Sequence, residues 1–372
     1  MQVLFGPNGA GKSTFLDTIW FVRDCAIHGV DSASSDRSHG IGVRWDGADE
    51  TSNISITLET DLCEYQVLFG YSSGRIEPFV GERLASKVKG HTLIDRKIGT
   101  DHAGFYHYKI DQTLSVPLKE PEKLALTVYV PFSPDSEEAA ELDRVLRFVH
   151  FYKSRSFDLF QLKKFGSESS YQTWLWERGQ NLWSVLRNLH DRRGRDDRYE
   201  TIIGFMRDGF PLFKDLYIEQ TGPSTVYGYF IETSLRSPIA ASGVSDGHLQ
   251  MLILLTALFA EGAERESLIL FDEPETSLHP YALSVLAKAV KLATNSWNRQ
   301  VFVATHSPVF ISQFAPNDTI AAEVRPPGLT ALRRVGEIPG IEDLLEEYAT
   351  GSLYMAELIA PQRGMVDGET VS

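Results

Sequence analysis

"GPNGAGKST", from Gly6 to Thr14, decides the fold. It fits the phosphate-binding pattern G-x-x-x-x-G-K-[ST], and the apolar run Val3-Leu4-Phe5 before it reads as a strand. Gly6, Gly9 and Gly11 free the backbone so that N–H groups turn toward phosphate oxygens at a helix start. Lys12 is placed to bridge the β- and γ-phosphates and Ser13 to ligate Mg²⁺, with Asn8 and Thr14 completing the loop. Behind it, "STFLDTIWFVRDCAI" has apolar residues at helical spacing, which gives strand, phosphate loop and helix.

The rest of the chain suits such a site. With 372 residues, 42% of them hydrophobic and 23% charged, it has enough material for a substantial core in a folded protein. A net charge of −14 argues against a protein that coats nucleic acid by bulk charge. Two local basic runs survive, Tyr152 to Lys164 and Arg187 to Arg198, each a solvated face or a contact for nucleic acid or a partner. Cys25 and Cys63 have no metal spacing and suggest no disulfide framework, so a reducing cytoplasm is expected. The apolar run from Leu249, "LQMLILLTALFA", is too short to span a bilayer and suits a buried helix, so no membrane contact is expected.

From Gly40 to about Val130 short alternating runs predict an antiparallel sheet: "ISITLET", "EYQVLFGY", "FYHYKI" and "LALTVYV". From "SPDSEEAAELDRVLRFVHFY" the pattern turns helical, with Ser133 or Asp135 as N-cap, and stays so to about Phe213. "DLYIEQ" and "VYGYFIETSL" then read as strands, followed by alternating helices and strands. The expected parts are therefore 1–132 (phosphate loop and β layer), 133–213 (helical insertion) and 214–372 (the remaining site motifs).

In "SLILFDEPETSLHP" an apolar strand ends in Asp272, whose carboxylate is placed to hold Mg²⁺, and Glu273 follows as a general base for the attacking water. "QVFVATHSP" is another buried strand, ending beside His306, which is placed to sense the γ-phosphate. "ASGVSDGHLQ" sets Ser245 and Gly247 at the start of the apolar helix, where a helix N-terminus attracts phosphate.

The order of these motifs resembles the ABC-type ATPase heads of the RecF and SMC (structural maintenance of chromosomes) group, and within it the stand-alone bacterial AAA-type ATP-binding proteins. The resemblance covers nearly the whole chain, through "GPNGAGKST", "SGVSDGHLQMLILLTAL", "LILFDEPETSLHP", "ATHSP" and the insertion segments "ERGQNLWSVLRNL" and "GFPLFKDLYIE". It implies an α/β P-loop NTPase fold with an antiparallel β layer and a helical insertion. It also implies ATP and Mg²⁺ as cofactors, and a homodimer or higher oligomer in which Ser245 and Gly247 close on the ATP held by another subunit. Members serve DNA repair, chromosome maintenance or anti-phage defence, so an effector protein (toxin or nuclease) in trans and DNA are the expected further partners. The rival reading is a weakly hydrolysing scaffold that orders such an effector by oligomerising.

Three departures from the group stand out. The glutamine-loop residue matches best at Gln112 in "DQTLSVPL", where the competing reading is a turn residue in the β layer. The stretch after His306 lacks the acidic cluster of the overcoming-lysogenisation nucleases, so an ATPase without its own nuclease is expected. The pair of strands that usually precedes the phosphate-loop strand is absent here. We therefore expect that Met1 is not the native start, and that "QVLF" has an apolar edge needing cover from the β layer or another subunit.

Overall fold

The computed structural model describes residues 1–38, 47–49, 52–326 and 328–362. The chain forms two compact units, Met1–Leu16 with the chain from His150 onward, and Asp17–Val149.

The first unit is organised by a six-stranded sheet. Its strands run in the order Val149–Lys153, Ser267–Asp272, Arg299–Thr305, Gln2–Phe5, Thr319–Arg325 and Leu329–Arg334. Ser267–Asp272, Arg299–Thr305, Gln2–Phe5 and Thr319–Arg325 pair in parallel, and Leu329–Arg334 closes the sheet as an antiparallel hairpin partner. Parallel strands are covered on both faces, which is why "LILF" and "VLF" are unbroken apolar runs. On one face Val3, Phe271 and Val303 pack with Leu252 and Leu255 of the helix Asp246–Phe259 and with Leu286 and Val290 of the helix Pro280–Ser296. On the other, Phe5 and Ala321 meet Ile311, Val335, Ile341, Leu353 and Tyr354. Every residue from Leu249 to Phe259 is buried, as expected of a core helix that is apolar all round.

The strand before the phosphate loop has no open edge. Its Val3 pairs with Val303 on one side and Thr319 on the other, so the expectation of an unpaired edge is corrected. The cover comes from Thr319–Arg325, supplied by the C-terminal part of the chain rather than by the β layer or a second subunit.

A hairpin of Phe213–Gly222 and Thr225–Glu232, flanked by Ser167–Glu168 and Ile239–Ala240, forms a second sheet in this unit. The stretch 133–213 contributes helices Leu159–Lys164, Leu182–His190 and Arg198–Gly209 to this unit, and also the edge strand Val149–Lys153, which sequence periodicity had merged with the preceding helix.

The second unit carries six antiparallel strands in the order Ile54–Glu59, Cys63–Phe69, Gly81–Ser86, Thr92–Arg96, His102–His107 and Gln112–Pro117. Cys63, Tyr65, Val67 and Phe69 are buried while the residues between them are half-exposed, the period-two pattern of a sheet covered on one face. The start of this β layer as expected, at Gly40, lies outside the described residues. Helix Glu137–Arg147 is capped by Ser136, whose hydroxyl accepts the Ala139 N–H, and not by Ser133 or Asp135.

"LALTVYV" was expected to be a strand and is the helix Ala125–Phe132. Thr127, Val128, Tyr129 and Val130 favour strands locally, but a helix start needs acceptors for its free N–H groups. Leu124 at the cap position has none to offer. The buried carboxylate of Glu82 supplies them, accepting from Ala125 N (2.5 Å) and Leu126 N (3.2 Å). It also accepts from the Tyr65 hydroxyl (2.7 Å) and pairs with Arg96 (3.3 Å), both of whose side chains and its own are shielded from solvent. Burial pushes the Glu82 carboxyl above its ordinary range, against the pull of these donors.

Candidate nucleotide site

Strand register brings the motifs to one end of the sheet. Phe5 is level with Thr305, and Asp272 is level with Ala304, so the loop after Phe5, the Asp272-Glu273 pair and His306 all leave the carboxyl ends of neighbouring parallel strands. Ligands of open α/β sheets bind outside these ends. Lys12 opens the helix Lys12–His28 and is buried, its Nζ donating to the carbonyls of Gly6 (3.0 Å) and Pro7 (2.9 Å). The ammonium thus draws the loop into a ring around itself, with Asn8 and Gly9 exposed at the crest. Gly11 has φ +84° and lies against Thr330, so a side chain there would be strained and crowded. Ser13 and Thr14 are exposed on the first helical turn, and the Ser13 hydroxyl donates to Asp272 Oδ1 at 2.8 Å.

Electrostatics around this pair are concentrated. Burial pulls the Lys12 ammonium below its ordinary range, while Glu273, Asp272 and Glu275 oppose the shift. Burial raises the Asp272 carboxyl, as does the neighbouring Glu273, while the Ser13 hydrogen bond pulls it down. Glu273 adopts φ +51°, a left-handed conformation unusual for a residue with a side chain, and its N–H donates to Ala304 O (2.8 Å). Its Oε2 is 2.5 Å from Arg155 Nε, on the turn that follows the edge strand Val149–Lys153. His306 is half-buried, and its imidazole is held below its ordinary pKa by burial and by the Lys12 charge.

Two residues in this group were not singled out by sequence. Glu275 accepts the His306 N–H through Oε1 (2.6 Å) and the Thr305 hydroxyl through Oε2 (2.8 Å). It sits in the quoted acidic stretch, but there it reads as lead-in to the next helix. Arg155 belongs to the basic run Tyr152 to Lys164, whose Lys163 is also engaged, with Asp246 Oδ1 (2.6 Å) and Val244 O (2.9 Å). In the other basic run, Arg198 pairs with Asp196 (2.7 Å) and donates to Ala260 O (2.8 Å).

Ser245 stands at the N-cap of the helix Asp246–Phe259, its hydroxyl 2.7 Å from His248 Nδ1. The His248 ring stacks on Phe210 at 3.9 Å. Gly247 lies so close to the carbonyl of Ser277 that a Cβ would come within 2.5 Å of the oxygen, which seats the helix start against the turn after the acidic strand. Gln112 is an exposed residue at the start of the strand Gln112–Pro117 in the other unit, and the structure described here does not join it to these residues.

The residues present fit ATP and Mg²⁺. A buried ammonium within a ring of backbone suits a polyphosphate, and a hydroxyl and a carboxylate 2.8 Å apart are hard oxygen donors of the kind Mg²⁺ takes.

Parallel strands that deliver a phosphate loop, an acidic pair and a histidine to the same end make this a P-loop NTPase. The order of its motifs along the chain, with the helix start at Ser245 between loop and acidic strand, makes it a head of the ABC type. The chain belongs to the family described as "AAA domain, putative AbiEii toxin, Type IV TA system", which matches residues 2–77 and 135–312, more than half of it. Protein ea59 of Escherichia phage lambda is 39% identical over 70 residues, which is 19% of this chain and 13% of that protein. Among solved structures, the Smc head domain with an extended coiled coil bound to the C-terminal domain of ScpA, derived from Pyrococcus furiosus, is similar at 12% identity and a TM-score of 0.47, with 93% of each chain covered. The SMC head domain from Thermotoga maritima is similar at 15% identity and a TM-score of 0.39, with 90% of this chain and 89% of that one covered. No helix among the described residues is long and apolar enough to cross a membrane.

Proposed function

We propose that the chain is an ATP-hydrolysing switch that joins a second copy of itself around ATP and thereby controls a partner protein or a DNA contact. The observation that carries this reading is the hydrogen bond from Ser13 to Asp272, which couples the phosphate loop to the acidic strand end. Lys12 takes the β- and γ-phosphates, Gly6, Asn8, Gly9, Gly11 and Thr14 line the loop, and Ser13 and Asp272 hold Mg²⁺. The ion, when bound, neutralises charge between the phosphates. Glu273 orients and deprotonates the attacking water, and His306 registers the γ-phosphate. Ser245 and Gly247 present the helix start to the nucleotide of the other copy, and Gln112 serves as the glutamine-loop residue. The family's description, which names a putative toxin of a type IV toxin–antitoxin system, supports a place in genome defence. In this reading DNA repair is the neighbouring role, and a toxin or nuclease is the effector in trans. Two buried free thiols, Cys25 and Cys63, support a cytoplasmic setting.

A weakly hydrolysing scaffold is the second reading, and one observation favours it. Glu273 is engaged by Arg155 at 2.5 Å, and a carboxylate held in an ion pair is a poor base for water.

The test is ATP binding, turnover and light scattering on purified protein. Lys12→Ala is expected to lose ATP binding. Glu273→Gln is expected to bind ATP, lose at least about a hundredfold in turnover and accumulate as an ATP-bound dimer. Ser245→Arg is expected to bind ATP as a monomer without turning it over. Wild-type turnover in Glu273→Gln would remove Glu273 from the base role. Dimers of Ser245→Arg with full activity would defeat the arrangement in trans.

A further inference from the structure

The carbonyl of Gly6 accepts two hydrogen bonds, one from Lys12 Nζ at 3.0 Å and one from the hydroxyl of Tyr354 at 2.9 Å. Both lone pairs of that oxygen are used, and the residue is buried. Tyr354 belongs to the helix Thr350–Met355, and its ring packs edge-on against Phe5 with centroids 5.2 Å apart. The same helix holds the segment after His306. Gly351 N donates to the Ser312 hydroxyl (3.2 Å), and that hydroxyl donates to Pro308 O (2.7 Å), at the start of the helix Pro308–Ile311. One short helix is therefore bonded to the first carbonyl of the phosphate loop and to the residues directly behind the histidine.

An ammonium has three donors and Lys12 spends two of them on the carbonyls of Gly6 and Pro7, so bridging both the β- and γ-phosphates takes it from at least one of these carbonyls. A buried carbonyl stripped of its donor is costly, and that cost is subtracted from the affinity for the ligand. The Pro7 carbonyl then keeps the Ala10 N–H (3.3 Å), and the Gly6 carbonyl keeps the tyrosine hydroxyl (2.9 Å). Burial raises the phenol above its ordinary pKa, so it remains protonated and able to donate.

We propose that Tyr354 is a positioning residue of the nucleotide site. It keeps the Gly6 carbonyl satisfied while Lys12 engages the phosphates, and through its helix it ties the phosphate loop to the segment that carries His306. This rests on the ATP-binding reading above and adds to it a part of the chain that none of the site motifs includes.

The experiment compares wild type with Tyr354→Phe, which removes the hydroxyl and keeps the ring on Phe5. The ATP dissociation constant and KM are expected to rise about five- to tenfold, the worth of one buried hydrogen bond, with kcat within about twofold of wild type. Amide hydrogen exchange in the loop from Gly6 to Ser13 is expected to speed up without nucleotide, while exchange in the core helix Asp246–Phe259 stays unchanged. Unaltered ATP affinity together with unaltered loop exchange would overturn the proposal. A kcat loss with KM unchanged would overturn it too, since it would place Tyr354 in the reaction step and not in binding. Failure of wild-type protein to bind ATP would strike the underlying reading instead, and is seen without any variant.

Discussion

The carboxylate of Glu275 holds the backbone of His306, with the histidine N–H 2.6 Å from its Oε1 and the Thr305 hydroxyl 2.8 Å from its Oε2. The turn after one strand thereby fixes the tip of the next. Glu275→Ala leaves a part-buried N–H and the hydroxyl of the buried Thr305 without their acceptor, and is expected to cost about 1–3 kcal/mol of stability in urea unfolding. Glu275→Gln retains an oxygen for one of the two donors and is expected to cost less than half as much. Equal stability of Glu275→Ala and wild type would mean that the strand tip is held by other means.

Arg155 offers a direct lever on Glu273. Its side chain is 77% exposed, so the ion pair adds little to stability, but it occupies the carboxylate assigned to water. Arg155→Ala is expected to raise basal ATP turnover about two- to tenfold with the melting temperature unchanged. A fall in turnover would give Arg155 a productive role beside the phosphates.

In the second unit Glu82 is the residue whose loss should be felt most. Glu82→Ala strands Arg96 in the interior and removes the acceptor for the first N–H groups of Ala125–Phe132. A loss of about 3–5 kcal/mol is expected, the range for breaking one side of a buried pair. Hydrogen exchange should show Ala125–Phe132 losing protection first.

His248 gives the protein a pH dependence of known sign. Burial holds its imidazole below its ordinary pKa, so the unfolded chain takes up the proton first. The stability it contributes is fully present above the unfolded value of about 6.5 and is lost as pH falls through the depressed folded value. Glu232 is a charged group acting on it, and Ser245 and Phe210 face it directly. Melting of the wild type is expected to drop more steeply between pH 7.5 and 5.5 than melting of His248→Gln, by about 2–4 °C. Parallel curves would show that the ring is protonated without strain.

Most of the site was legible because its chemistry is local. A phosphate loop needs its glycines and lysine within nine residues, and an acidic strand end announces itself by four apolar residues and two carboxylates. The first unit's central strands were equally plain, being buried on both faces. What escaped depended on partners distant in sequence. "LALTVYV" became a helix because Glu82, on another strand, caps it. "VHFYK" left its helix because Phe148 ends the helical run and the following residues take the sheet edge. The cover on Gln2–Phe5 came from Thr319–Arg325, a strand with no motif to mark it. Tyr354 likewise has no signature, since one tyrosine in a short helix looks like any packing residue.

The pairing of Gln2–Phe5 also sets an order of assembly. Gln2 is level with Phe302, and Leu4 with Ile320, so the strand that carries the phosphate loop meets its neighbours only after some 300 residues have followed it out of the ribosome. Contacts this remote are slow to form, and an apolar strand waiting for them is a natural client for chaperones. A growing chain that stops short of Thr319 leaves Val3, Leu4 and Phe5 without their partners on one side.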